Sequence, residues 1–319
     1  MKDPIKLRTI FMGTSSFAAV ILESLANAGY NVISVYTQTD RKSGRSQNIQ
    51  PSAVELVSQK NSLPVLKPEK FDEKTITELK KQKPDLIVVA AYGKILPSAV
   101  LNLPGFGAIN IHASLLPKFR GPSPIQNAIL EGVSNTGTTI MLMNEGIDSG
   151  DILREKKVVL NPRETYPEVL KKMAKISSAL LLETIPLWIK RKIKPQKQNE
   201  SQATYCQLIE RNDGKIIWEN NAETIYNQWR AFVLWPGVFT YWKNNGFNLR
   251  LKLHKIALSQ NVAEFSGKVG QVFNLDDKIA VKTNKGTIIL EEVQLEGKNK
   301  LKVSDFVNGH PEFMGAILK

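Results

Sequence analysis

The sequence predicts an α/β protein: a doubly wound, mostly parallel Rossmann-like sheet, followed by a smaller C-terminal β-barrel of OB-like type. Three observations carry that expectation. The first half alternates short apolar runs with helical patterns. Its purest runs, such as Leu86–Ala91, are continuously apolar, as in strands buried on both faces. Beyond about residue 205, short runs alternate with turn signals, the grammar of a small barrel or sandwich.

Taken in order, Leu7–Met12 is an apolar run ending at Gly13, and Ser15–Ala28 is a helical stretch stopped by Gly29. Val32–Tyr36 completes a βαβ unit, whose crossover makes its strands parallel. Ala53–Gln59 and Glu73–Lys81 read as helices around a short strand near Val65. Pro84 precedes the strand Leu86–Ala91; Ala108–Ala113 is a strand, Pro124–Glu131 a helix and Gly137–Met143 a strand again. A long helix runs from Pro167 to about Lys190. Polar Ile193–Gln202, with Pro195, reads as an interdomain linker. The expected division is therefore 1–193, a linker at 194–205, and 206–319. In the last part a helix at Ala222–Val233 precedes runs at Phe239–Trp242, Leu249–Ala257, Gly270–Asn274, Ile279–Thr283 and Thr287–Val293. Asn244-Asn245-Gly246 and Asn284-Lys285-Gly286 are hairpin turn signals between them.

A length of 319 residues suits about two domains, and 42% hydrophobic with 23% charged residues is an ordinary globular composition. No apolar run approaches the ~20 residues that span a bilayer. The apolar stretch after Arg8 is preceded by Asp3 and closed by Glu23, so it reads as strand and helix and not as a signal peptide. Cys206 is the only cysteine, which excludes intramolecular disulfides and cysteine-rich zinc sites and leads us to expect a cytoplasmic protein. The net charge is +13. Residues 171–197 hold eight Lys and Arg against Glu183 alone. Charge alone fits a polyanionic partner and a solvated helix face equally well.

The densest cluster of unusual residues is Gly107–Gly121 (GAINIHASLLPKFRG). Strand alternation puts Asn110, His112 and Ser114 on one side and Ile109, Ile111 and Ala113 on the other. Polar side chains in register near the carboxyl end of a parallel strand lie where α/β sheets bind ligands. Pro117 and Gly121 then force a shaped loop. The other histidines, His254 and His310, share no motif with His112 and have no ligand spacing with Cys206, so no metal site is expected. The second element, Glu145–Asp151 (EGIDSGD), follows the strand at 138–143; its glycines let a loop curl back and present a carboxylate to His112. Composition leaves Asp148 and Asp151 both open. Gly13-Thr14-Ser15-Ser16-Phe17 lacks the G-x-G-x-x-G spacing of a dinucleotide site. With no nucleophile on an elbow, Asn, His and Asp suit direct acyl transfer: the amide and a protonated imidazole stabilise an oxyanion, and a His–Asp pair moves the proton.

At these residues the sequence resembles the formyltetrahydrofolate-dependent formyltransferases. Asn110-Ile111-His112, Ser114-Leu115-Leu116-Pro117 and Arg120-Gly121 match the N-x-H-x-S-L-L-P-x-x-R-G pattern, and Thr136–Asp151 is similar to the second block, in which the first Asp, here Asp148, is catalytic. Gly13-Thr14, Tyr36-Thr37-Gln38, Ala91-Tyr92-Gly93, Arg230-Ala231-Phe232 and Trp235-Pro236-Gly237 extend the resemblance over essentially the whole chain, toward the members acting on tRNA. It implies 10-formyltetrahydrofolate as donor, held near Ser114, Leu115, Leu116 and Pro117, and the α-amine of initiator methionyl-tRNA as acceptor. It implies catalytic roles for Asn110, His112 and Asp148, and a tRNA-facing loop at Thr39–Asn48 with Arg41, Lys42 and Arg45. A monomer without metal or membrane association is expected. Ser15-Ser16, Lys42-Ser43 and Ser46–Asn48 depart from the family's usual residues. Transfer to a sugar nucleotide, to a glycinamide ribonucleotide or to water, and a non-enzymatic RNA-binding protein, are the competing readings. The last leaves Asn110, His112 and Asp148 unexplained.

Overall fold

Strands that the sequence marks as wholly apolar form the centre of the first sheet. The computed structural model describes residues 3–43, 48–259 and 266–319, with backbone alone at 41–43 and 48–49. β1 (Thr9–Gly13), α1 (Ser16–Asn27) and β2 (Val32–Tyr36) come first, then the short antiparallel pair β3 (Arg41–Ser43) and β4 (Asn48–Gln50). They are followed by α2 (Ala53–Lys60), β5 (Val65–Leu66), α3 (Glu73–Lys81), β6 (Leu86–Ala90), α4 (Ser98–Leu101), β7 (Ala108–His112), α5 (Pro124–Leu130), β8 (Asn135–Leu142), β9 (Ile152–Val159) and α6 (Tyr166–Ile189). The seven-stranded sheet has the order β5-β2-β1-β6-β7-β8-β9. Its first four contacts are parallel, and β7-β8 and β8-β9 are antiparallel. Every residue of β1, β6 and β7 is buried, as strands covered on both faces must be.

Local chemistry sets the element ends. Ser15, Ser52 and Asp72 cap α1, α2 and α3 by accepting from the backbone N–H of Ala18, Glu55 and Thr75. The bond from Thr75 holds the Asp72 carboxyl below its ordinary value. β9 is a strand that the apolar pattern does not mark. It lies at the sheet edge and exposes Glu155, Lys156 and Lys157, charges of the kind that block further pairing.

The chain forms two compact units, whose division differs from the expected one in two ways. Unit 1 comprises Met1–Pro124, Asn135–Leu160 and Val169–Gln207, and unit 2 comprises Ile125–Ser134, Asn161–Glu168 and Leu208–Lys319. First, two short segments from within 1–193 fold with unit 2. There the Arg230 guanidinium donates to the Glu164 carbonyl at 2.8 Å. Second, residues 194–205, expected as a linker, are bonded into unit 1. Gln196 and Ile152 exchange backbone bonds of 2.8 and 2.9 Å, and Arg120 N–H donates to the Thr204 carbonyl at 2.9 Å. The segment is polar because it supplies partners to buried polar groups, as well as meeting solvent.

Unit 2 holds α7 (Ala222–Phe232), β10 (Val238–Asn244), β11 (Phe247–Leu258), β12 (Val272–Leu275), β13 (Lys278–Lys282), β14 (Thr287–Leu295), β15 (Leu301–Lys302) and α8 (Val303–Gly309). The antiparallel sheet runs β10-β11-β14-β13-β12, with β15 on β14. A two-residue turn at Asn245-Gly246 joins β10 to β11, as the sequence predicts. The two edges are bridged by the last residues of the chain: Leu318 pairs with Trp242 of β10, and Ile317 pairs with Gln271, just ahead of β12. Tyr241 and Lys319 exchange backbone bonds of 2.7 and 2.9 Å. This strip links the two edges of the curled sheet at these positions. Trp242, Phe306 and Phe313 pack edge to face beneath it, at ring separations of 5.1–5.8 Å.

Among the described residues no helix is long and apolar enough to cross a membrane. Leu318, 2% exposed, anchors the linking strip. Leu318→Ala should cost about 2–5 kcal/mol in urea unfolding followed by tryptophan fluorescence. An unchanged midpoint would show that the strip does not hold the barrel.

Candidate active site

The carboxyl ends of β1, β2, β6 and β7 converge, and side chains tie the loops leaving them. The Thr14 hydroxyl and the Gln38 amide both donate to the Tyr92 carbonyl, at 2.9 and 2.8 Å. The Tyr92 hydroxyl is buried and has no hydrogen-bond partner among the described residues, and burial, with a smaller contribution from Tyr36, pushes its pKa up to about 12. It therefore stays protonated and is no base.

β7 carries Asn110 and His112 on one face, 8% and 5% exposed. The strand ends at His112, so Ser114 sits in the following turn and does not extend that face. The His112 Nε2–H donates to the Phe119 carbonyl at 2.8 Å; a carbonyl can only accept, so that nitrogen carries hydrogen. Nδ1 then faces the Asp148 carboxylate, 3.5 Å away at Oδ2. Both ring nitrogens thus look at acceptors. Asn110 Nδ2 donates to Asp148 Oδ1 at 3.3 Å, and Gly121 N–H donates to Oδ2 at 2.8 Å. Of the two aspartates left open by the sequence, Asp148 is the one brought to His112. Asp151 uses its backbone carbonyl to accept from Leu142.

Three backbone positions make this convergence possible. Phe119 and Asp148 have φ of 58° and 47°, a left-handed conformation that costs a non-glycine residue about 1–2 kcal/mol. At Phe119 it turns the carbonyl to His112, and at Asp148 it turns the carboxylate over the strand end. Gly121, at φ 108°, must be glycine, because a Cβ there would lie 2.5 Å from the Cys206 carbonyl oxygen. The approach puts the Gly121 N–H against Asp148. Gly150 is equally constrained, since a Cβ there would overlap the Leu142 carbonyl oxygen.

The loop expected to hold the donor has a mixed character. The Ser114 hydroxyl donates to the Lys118 carbonyl at 2.6 Å, and Ser114 and Leu116 are buried, so both shape the loop from inside. Leu115 and Pro117 remain partly exposed beside it. Thr139 fastens the loop to β8, donating to the Ser114 carbonyl at 2.7 Å and accepting from Leu116 N–H at 3.1 Å. Thr139 carries no signal in the sequence; the β7-β8 register places it directly opposite His112.

Arg120, quoted in the motif without a function, is 1% exposed. It donates to both Glu200 carboxylate oxygens at 2.7 and 2.8 Å, to Gln198 Oε1 at 2.8 and 3.1 Å, and to the Tyr205 hydroxyl at 3.1 Å. The bonds from Arg120 hold the Glu200 carboxyl below its usual range. Cys206 lies close by, its thiol 3.1 Å from the Arg120 carbonyl. Burial pushes that thiol up, which keeps it protonated and excludes it as a nucleophile. An open cleft of about 460 Å³, lined by Arg120, Asn144, Ile147, Ser149, Glu200 and Tyr205, adjoins the Asp148 loop.

Of the residues expected to face tRNA, Arg41 and Lys42 lie in β3, described as backbone, and Arg45 lies outside the described residues. The base of that segment is fixed: Lys67 bridges Asp40 at 2.7 Å, and the Thr37 and Ser52 hydroxyls share a 2.7 Å bond. Among the described residues no group of three or more His, Cys, Asp or Glu could hold a metal ion. The polar groups at the end of β7 are therefore two donors and one carboxylate on fixed backbone, a set suited to an oxyanion and a proton in transit.

The sequence matches the formyl transferase family over residues 6–185 and the formyl transferase C-terminal domain over 208–311. It is 39% identical over 313 residues to methionyl-tRNA formyltransferase of Caldicellulosiruptor saccharolyticus, covering 97% of this chain and 99% of that one. It is 40% identical over 305 residues to methionyl-tRNA formyltransferase of Bacillus licheniformis, covering 95% of each. Among solved structures, the sugar 3N-formyl transferase WlaRD, in the presence of dTDP and 5-N-formyl-THF, has a TM-score of 0.65 at 18% identity, covering 92% of this chain and 99% of that one. HypX from Aquifex aeolicus in complex with tetrahydrofolic acid has a TM-score of 0.64 at 18% identity, covering 96% of this chain and 47% of that one. At such identities the likeness is one of fold. With both domains matched and relatives aligned over nearly their whole length, the chain belongs to the formyl transferase family, among the methionyl-tRNA formyltransferases.

Proposed function

We propose that this chain transfers the formyl group of 10-formyltetrahydrofolate to the α-amine of initiator methionyl-tRNA, in the cytoplasm. The observation that carries the reading is the meeting of Asn110, His112 and Asp148 at the end of β7, in a chain whose full-length relatives are named for that reaction. Cys206 as a free, buried thiol is consistent with a reducing compartment.

The amine attacks the formyl carbon, a new C–N bond forms, and an electron pair moves onto the formyl oxygen. Asn110 Nδ2–H donates to that oxyanion, and so does His112 Nδ1 once it has taken the proton of the attacking amine, while Nε2–H stays on the Phe119 carbonyl. The tetrahedral centre collapses by breaking its bond to the folate nitrogen, which leaves with the proton that the amine has lost. His112 Nδ1 hands that proton over, and the Asp148 carboxylate stabilises the ring while it is charged. An α-amine has a reference pKa of about 7.7–8.0, so its deprotonation needs little help near neutrality.

Residues 1–193 with the segment 194–205 supply the chemistry in this reading, and 206–319 serves as the tRNA-binding domain. Supporting it are the match of 208–311 to the family's C-terminal domain and the curled OB-like sheet. Arg41, Lys42 and Arg45 contact tRNA phosphate, supported by the fixed base of their segment at Asp40. Ser114–Pro117 borders the folate, Leu115 and Pro117 offering the surface and Ser114 and Leu116 the shape.

The protein should formylate charged initiator tRNA with 10-formyltetrahydrofolate, and should leave charged elongator tRNA and a sugar-nucleotide amine much less modified. No transfer to the initiator would refute the reading. His112→Ala and Asp148→Asn should each lower the single-turnover rate about 10²- to 10⁴-fold, and Asn110→Ala about 10²- to 10³-fold. Near-full rates would remove these residues from the chemistry. Arg41→Ala and Lys42→Ala should raise KM for tRNA and each reduce the salt slope of binding by roughly 1, with KM for the folate unchanged. An unaltered slope would place both side chains off the phosphates.

A further inference from the structure

We infer that Gln198, in the segment that reads as a linker, is a positioning residue for the Asp148 carboxylate. The inference rests on the roles proposed for His112 and Asp148. One side chain joins the two loops that carry the site. Its Nε2 donates to the Asp148 carbonyl at 2.8 Å and to the Gly150 carbonyl at 2.7 Å. Its Oε1 accepts from Arg120 Nε at 3.1 Å and from a terminal Arg120 nitrogen at 2.8 Å. Carbonyls only accept and a guanidinium only donates, so the amide has a single orientation, with both hydrogens and both lone pairs engaged.

The position of that amide decides where Asp148 points. Asp148 holds a left-handed backbone, φ 47°, which an unrestrained loop would abandon. Three donors oppose that: Gln198 on its backbone carbonyl, and Gly121 N–H and Asn110 Nδ2 on its carboxylate. The Gln198 and Gly121 anchors share one support, because Arg120, which holds Gln198 through its guanidinium, is the residue preceding Gly121. Arg120 is held in turn by Glu200 and by backbone bonds to Thr204 and Cys206. Without the Gln198 donors, the Asp148 loop keeps its carboxylate contacts to Gly121 and Asn110 and loses the grip on its backbone. The Asp148 Oδ2 to His112 Nδ1 approach, already 3.5 Å, then opens.

The test uses the full chain. Gln198→Glu keeps the acceptor for Arg120 and loses both donors, while Gln198→Met keeps length and loses both functions. In each variant kcat for formylation should fall roughly 10- to 100-fold, as small misplacements of catalytic groups do. KM for tRNA and folate should stay within about threefold, the thermal midpoint should be retained, and the pH profile of kcat should change shape. Because there are three histidines, ¹⁵N-histidine NMR gives a readout independent of activity. The His112 Nδ1 resonance, assigned by its loss in His112→Ala, should move in the Gln198 variants toward its position in Asp148→Asn, with His254 and His310 unmoved. Rescue by Gln198→Glu, or loss of kcat with an unmoved His112 resonance, would overturn the inference. The NMR result stands even if the wild-type protein formylates some other acceptor, so failure of the two readings can be told apart.

Discussion

A guanidinium removed from water at Arg120 is the constraint on which the rest of the site depends. Burying such a group is costly unless its donors are matched, and here a carboxylate, an amide oxygen and a phenol match them. Those partners come from Gln198, Glu200 and Tyr205, so residues 194–207 must fold onto the first unit. Once they do, the loop after β7 and the loop after β8 have a common support. The neutral part of that support, Gln198, reaches the Asp148 loop, while the charged part, Glu200, balances Arg120 at the surface.

The same arrangement explains how a loop carboxylate is held firmly. Loops usually trade precision for mobility, and sites on them need a supporting shell. Asp148 has bonds to both its backbone and its carboxylate, from two directions. His112 is fixed from its far side by a backbone carbonyl, which sets its tautomer and leaves one edge for chemistry. Strained φ values at Phe119 and Asp148 are the local cost of that geometry, offset by the surrounding hydrogen bonds.

What the sequence discloses follows from the range of each interaction. The central strands and most helices were legible, because burial on both faces writes continuous apolar runs and caps are local. Asn110 and His112 were legible through strand alternation, and Asp148 through its glycine-flanked loop, though Asp151 could not be separated from it. Ser114 was drawn onto the Asn110 face because the strand was extended past His112. The Phe119 carbonyl and the Gly121 N–H were invisible, since backbone direction there depends on φ values that the residue type of Phe119 does not suggest. Gln198 was hidden by its surroundings: a polar, proline-containing stretch reports solvation, while the partners of Gln198 lie 50 and 78 residues away. The linking of the sheet edges by 317–319 is likewise a long-range pairing without a local signature.

The central claim is that Gln198 acts through Asp148 and not beside it. A double-mutant cycle of Gln198→Met and Asp148→Asn, read as single-turnover formylation rates, measures that coupling directly. Strong non-additivity is expected: with Asp148 already changed to asparagine, the Gln198 substitution should lower the rate little further. Full additivity, with each substitution lowering the rate by the same factor in either background, would contradict it.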